Sequence, residues 1–159
     1  MSIFVKAAPA SQPKTKEAKN IAIIYAAILV IMAVTQLFTF EEFIEHIQQL
    51  NLPLGEFGTY AIAPIIIVAE VFTIPFLLRM TLSPAFRYFS MFFGLVAAGL
   101  WLFVSTWLAI ANSTASTVGF LGTLVDLTPG WWAVSISFAL VILAVWSVWG
   151  LWPSKKPRS

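Results

Sequence analysis

The sequence predicts an all-α protein, an integral membrane four-helix antiparallel bundle with a short amphipathic helix on its outer face. Three observations predict it. Of 159 residues, 60% are hydrophobic and only 10% charged, a composition foreign to soluble domains. Four apolar runs, about 21–38, 59–78, 88–111 and 131–152, have the length that crosses about 30 Å of hydrocarbon at about 1.5 Å per residue. All nine Lys and Arg residues lie in the segments 6–19, 79–87 and 155–158, while the connections 39–58 and 112–130 contain none. Basic residues are held on the cytoplasmic side during insertion. Both termini and the 79–87 loop are therefore expected in the cytoplasm, and the protein in the inner (plasma) membrane.

Residues 1–19 read as a disordered basic cytoplasmic tail, because their polar composition offers nothing to bury. The four-span domain then occupies 20–152, and 153–159 form a second basic tail. The first span lacks a small-x-small cleavage site and is expected to be retained rather than removed as a signal peptide. After it, Phe40, Phe43, Ile44, Ile47 and Leu50 recur at helical spacing, with Glu41, Glu42, Glu45 and Gln48 on the other side. This is an amphipathic helix. Its carboxylates repel anionic lipid, so Phe43, Ile47 and His46 are expected to dock on protein, either the bundle mouth or a partner. Asn51-Leu52-Pro53-Leu54-Gly55 turns the chain into the second span, in line with the turn preferences of Pro and Gly.

The second span holds Pro64 and Pro75, tolerated in a bilayer helix when neighbours satisfy the freed carbonyls. The short 79–87 loop makes the second and third spans antiparallel neighbours. In the third span Gly94 and Ala98 stand four apart, a small pair that permits close helix approach. The 112–130 connection is rich in small residues, and Asn112-Ser113-Thr114 matches a glycosylation sequon at the membrane edge. Trp131 and Trp132 open the fourth span and Trp149 and Trp152 close it, at the depths where an indole satisfies both its apolar ring and its N–H.

Composition also excludes chemistry. With no cysteine, the chain alone performs no thiol or disulfide chemistry and ligates no iron–sulfur cluster. One histidine, His46, makes no metal or bis-histidine haem site. A net charge of +2 without an extended basic surface argues against nucleic acid. The partners expected are membrane lipid and other membrane protein subunits. Glu70 is the single ionisable residue inside a span. A charged carboxylate at that depth costs several kcal/mol, on the order of 3 or more, so it is expected to be neutral. Thr59, Ala63, Ile66 and Leu77 fall on the same face with Thr73 beside it, and Leu29, Ala98 and Val141 are expected at its level. Gln36 lies nearer the surface, within reach through a water. Glu70, Gln36 and Thr73 are thus the candidates for a buried polar or ligand-binding site. Glu70 either orients a ligand such as a quinone or clips two helices together. The glutamates around His46 are expected to raise its pKa.

The run Ile31–Phe38, followed by Phe40-Glu41-Glu42-Phe43, the turn Asn51-Leu52-Pro53-Leu54 and then Ala69-Glu70-Val71, resembles the DoxX-like group of small four-helix membrane proteins, which includes the MauE proteins. The resemblance covers about residues 20–110. It implies an accessory component of a redox system, with Glu70 as the acid of the second span. This chain differs in carrying Phe72-Thr73-Ile74-Pro75 where the group has a glycine-rich stretch, and Thr39 where it has a lysine. Two readings follow. One is a non-catalytic accessory subunit of a respiratory or quinone-linked membrane complex, with no cofactor of its own. The other is a small DoxX-like oxidoreductase or quinone-binding protein centred on Glu70, with quinone or lipid as ligand.

Overall fold

The computed structural model describes residues 10, 12–111 and 113–152. The expected tails over 1–9 and 153–159, and Asn112 of the sequon, lie outside the described residues. The chain forms five helices: α1 (Lys16–Phe38), α2 (Phe40–Gln49), α3 (Gly55–Leu77), α4 (Pro84–Ile110) and α5 (Trp131–Leu151). Four of them, α1, α3, α4 and α5, are long and apolar enough to cross a membrane. They stand as an antiparallel square in which α1 and α4 each pack against both α3 and α5. The short α2 lies across one end of the square, mainly against α3.

The first three spanning helices begin earlier than their apolar runs, for local reasons. Thr15 caps α1 by accepting a hydrogen bond from the Ala18 N–H at 3.1 Å, one of the donors a helix start leaves unpaired. Residues 16–19 are therefore helix and not tail. Ala18 packs directly beneath Gly150 of α5, where a Cβ on the glycine would overlap it. The Lys14 N–H donates to the Gly150 carbonyl at 2.9 Å, and the Lys14 ammonium sits 4.6 Å above the Trp149 ring. Likewise Ser83 caps α4 through the Phe86 N–H at 3.2 Å, and Pro84 occupies the first turn, where its missing N–H is harmless.

The Pro75 region of α3 is repaired by its neighbour. The Ser90 hydroxyl of α4 accepts from the Phe76 N–H at 3.2 Å and donates to the Phe72 carbonyl, so one side chain bridges a helix ladder disturbed by proline. One turn further along α4, a Cβ on Gly94 would lie 2.9 Å from Thr73 Cγ2; the small residue sets the closeness of α3 and α4. Tyr25 of α1 reaches across the square and donates to the Gly94 carbonyl at 2.7 Å. Away from these contacts the exterior is apolar: Ile31, Val34, Phe89, Phe92, Phe138 and Val145 are all exposed, as a bilayer requires and water would not allow.

The two ends of the bundle differ in charge. The described basic residues Lys14, Lys16, Lys19, Arg79 and Arg87 lie at the end where α1 and α4 start. At the other, capped end, Glu41, Glu42, Glu45 and Asp126 are exposed. Trp131 and Trp132 at the head of α5, and Trp149 and Trp152 at its foot, are exposed or nearly so, and mark two interfacial levels.

Candidate functional site

The capped end is closed from two sides. The helix α2 turns Phe43 and Ile47 fully inward. The 113–130 connection then folds back over the mouth: Val118 N–H donates to the Leu127 carbonyl at 2.8 Å, and Thr117 and Val118 are buried. Gly119 adopts a φ of +96° and lies against Phe43, His46 and Trp101, a backbone that other residues take up only with strain. Its turn drives Phe120 down onto Trp101, with ring centroids 4.8 Å apart. At Gly122, φ is +61° and a Cβ would meet the Thr35 carbonyl at 3.0 Å. Thr39 joins helix to loop, donating to the Thr35 carbonyl at 3.1 Å and accepting from the Thr123 N–H at 3.3 Å. The Thr123 hydroxyl donates to Glu42 at 2.7 Å.

Directly beneath this plug lies a buried polar layer that draws on every span. Glu70 of α3 is wholly buried. Its Oε1 accepts from the Trp101 indole N–H of α4 at 2.7 Å and from the Gln36 amide of α1 at 3.3 Å. The same Gln36 nitrogen donates to the Phe120 carbonyl at 3.1 Å, so the plug itself is bonded to the layer. The Trp101 carbonyl lies 3.2 Å from the Ser137 hydroxyl of α5, which also meets Ser105 at 2.8 Å and the Ala133 carbonyl at 2.9 Å. Three described buried side-chain atoms lack a hydrogen-bond partner, Ser147 Oγ on α5 and, within the layer, Gln36 Oε1 and Glu70 Oε2. The two in the layer are acceptors, so only the acid form of Glu70 brings a further donor to the pair.

The layer lies nearer the capped end than the sequence suggested. Gln36 is two residues from the end of α1, and it touches Glu70 directly rather than through water. Glu70 bonds directly to Gln36 of α1 and Trp101 of α4, whereas Leu29 and Ala98 were the residues expected at its level. Thr73 is buried, but its hydroxyl donates to the Ala69 carbonyl at 2.6 Å and does not join the layer. Trp101, Ser105, Ser137 and the Phe120 carbonyl were not anticipated. A signal existed for the first two: Gly94, Ala98, Trp101, Ser105 and Leu108 repeat at four- and three-residue spacing, which puts Trp101 on the buried stripe.

The three residues expected to dock a partner divide. Phe43 and Ile47 are completely buried within this chain: the apolar stripe of α2 closes its own bundle mouth, and a partner would have to meet the opposite, acidic face. His46 is half-buried, and its Nε2 lies 2.9 Å from the Thr117 carbonyl. A carbonyl only accepts, so Nε2 carries the proton. Burial pushes its pKa below the ordinary 6.5, with the Thr117 bond opposing part of that shift. This reverses the expectation that the glutamates of α2 raise it: desolvation is the largest influence on the ring. No family model, curated protein or solved structure matches the chain.

Replacing Glu70 with Leu strands the Trp101 and Gln36 donors in an apolar interior, at about 1–3 kcal/mol for each unsatisfied group. Thermal unfolding in detergent should therefore shift strongly downward in Glu70→Leu and only slightly in Glu70→Gln, whose carbonyl still accepts both bonds and whose amide supplies the missing donor. Equal shifts in the two variants would contradict the layer.

His46 gives the cap a pH dependence of defined sign. With the folded pKa below 6.5, the unfolded chain takes up a proton first as pH falls. The contribution to stability is complete above the unfolded value and is lost as pH drops through it towards the folded one. The unfolding midpoint should fall between about pH 7 and about pH 5, above the usual carboxylate range, and this slope should flatten in His46→Gln. A midpoint rising over that interval would reverse the assignment.

Proposed function

We propose that the protein is a non-catalytic accessory subunit of a membrane redox complex, respiratory or quinone-linked, held in the plasma membrane with its basic ends in the cytoplasm and its capped end outside. The observation that carries the accessory reading is the enclosure of Glu70. This acid, set within the apolar run of α3, is wholly buried and engaged by Trp101 and Gln36, in the manner of a clip between helices. The clefts at the capped end and along α4 and α5 do not include it. With no cysteine and a single histidine, electron transfer belongs to partner chains. The exposed carboxylates Glu41 and Glu45 of α2, with Asp126 of the plug, offer such a partner an acidic docking face. The redox assignment rests on the DoxX-like resemblance of residues 20–110. The alternative, a quinone-binding oxidoreductase centred on Glu70, requires the Phe120 plug to leave the mouth of the bundle.

Purification from native membranes in mild detergent tests this reading. Co-migration with redox subunits, with their activity retained in Glu70→Gln, is expected. A free protein that oxidises or reduces a quinone, and loses that activity in Glu70→Gln, would replace the subunit reading with the enzyme.

Orientation is tested separately, and the natural chain has no cysteine to interfere. In intact cells, a membrane-impermeant thiol reagent should label Glu41→Cys and spare Lys16→Cys. The reverse pattern would invert the topology.

A further inference from the structure

A second site lies outside the polar layer. At the capped end, His46, Gln49, Asn51, Trp107, Ala111 and residues 113–116 line a cleft of about 510 Å³. Its walls mix amides, hydroxyls and the His46 imidazole with the apolar Leu50, Trp107 and Ala115. On the flank of α4, Gly99, Leu102, Phe103, Thr106, Trp107 and Ile110 line a groove of about 430 Å³ that is almost entirely apolar. Trp107 is a wall of both, and Ile110 of the groove is followed by Ala111 of the cleft. The Trp107 ring is fixed at this junction because its N–H donates to the Asn51 carbonyl at 3.2 Å. From Gly99 to Ile110 the groove runs about 16 Å along the helix axis at 1.5 Å per residue, about half the hydrocarbon thickness and therefore the depth of one leaflet. A polar cleft above an apolar groove of one leaflet's depth has the shape of an amphiphile.

The chemistry of the head is set by three features. The Nε2–H of His46 is committed to the Thr117 carbonyl, so the neutral ring keeps its lone pair on Nδ1 and asks for a donor. At this end Glu41, Glu42, Glu45 and Asp126 are exposed, and the segments 39–58 and 113–130 hold no Lys or Arg, so a phosphate would find repulsion and no counter-charge. The groove that meets the cleft at Trp107 is lined by residues of α4 alone, which suits a single chain. A comparable apolar groove on α5, lined by Phe138, Val141, Ile142, Val145, Trp146 and Trp149, shares no residue with the polar cleft.

We propose that the His46 cleft and the α4 groove together bind a neutral single-chain lipid whose head donates a hydroxyl hydrogen bond to His46 Nδ1 and whose tail lies along Gly99, Phe103 and Ile110. The site is separate from Glu70 and does not depend on the protein being a redox subunit. The tail position is testable because a Cβ on Gly99 meets nothing within 4 Å: Gly99→Phe fills the groove without disturbing the bundle.

The experiment is native mass spectrometry of the full chain in mild detergent, titrated with monooleoylglycerol, with a long-chain hydroquinone, or with phosphatidylglycerol. The wild type should retain a single molecule of a neutral probe per chain, and the tighter of the two identifies the source of the head. Gly99→Phe should weaken it more than about tenfold through lost tail burial. His46→Gln, which keeps a donor for Thr117, should weaken it about three- to tenfold, the range of one hydrogen bond. Val145→Phe, which fills the α5 groove, should leave it unchanged. The proposal is overturned if phosphatidylglycerol binds as well as the neutral probes, if Gly99→Phe binds them undiminished while unfolding at the wild-type temperature, or if Val145→Phe loses them equally.

Discussion

A carboxyl group buried among apolar helices must find its hydrogen bonds inside the protein, because the bilayer offers no water to supply them. Much of this structure is arranged around that requirement at Glu70. Its Oε1 collects a donor from α4 and a donor from α1. The α4 residue that donates also offers its carbonyl to α5 through Ser137, so one acid on α3 brings all four spans to a common level. Neither the apolar contacts nor the small-residue crossings at Gly94 and Gly150 fix that level, since apolar helices slide past one another at little cost in lipid. A set of mutually committed polar groups does.

The cap depends on the same layer. Gln36 donates both to Glu70 and to the Phe120 carbonyl, so the plug is bonded to the group it covers. Gly119 and Gly122 provide the left-handed turns that bring Phe120 onto Trp101, and α2 closes the remaining side with Phe43 and Ile47. The outcome is asymmetric: one end sealed and acidic, the other basic and tied together by short contacts such as Lys14 to Gly150. In a membrane protein of this size the sealed end is where recognition of another molecule is available, through the acidic face of α2 or through the His46 cleft beside it.

The spans and α2 were legible in the sequence because their signals are collective. Each apolar run is long, and the α2 stripe repeats at helical spacing over ten residues, so no single residue decides the reading. Glu70 and Gln36 were legible for the opposite reason: each is an exception in an apolar run. What could not be read was register. Counting residues from the start of the second run set Glu70 beside Leu29 and Ala98, whereas its hydrogen bonds go to Gln36 and Trp101. Trp101 lies in the middle of its apolar run, where only its place on the Gly94–Ala98–Ser105 stripe shows it to be internal. The Phe120 carbonyl and the sign of the His46 shift depend on how the 113–130 connection folds, which no periodicity in that small-residue segment encodes.

The central claim is that the Trp101 indole N–H is sealed within the bundle and bonded to Glu70. Of the seven tryptophans in the chain, Trp101 is completely buried, whereas Trp131, Trp132, Trp146, Trp149 and Trp152 are exposed. The most direct measurement is hydrogen–deuterium exchange of the indole N–H protons, followed by NMR on the ¹⁵N-labelled protein in detergent micelles. One indole resonance, absent from Trp101→Phe, should outlast all the others by orders of magnitude and lose that protection in Glu70→Leu. A Trp101 indole that exchanges as fast as Trp131 or Trp149 would contradict the account.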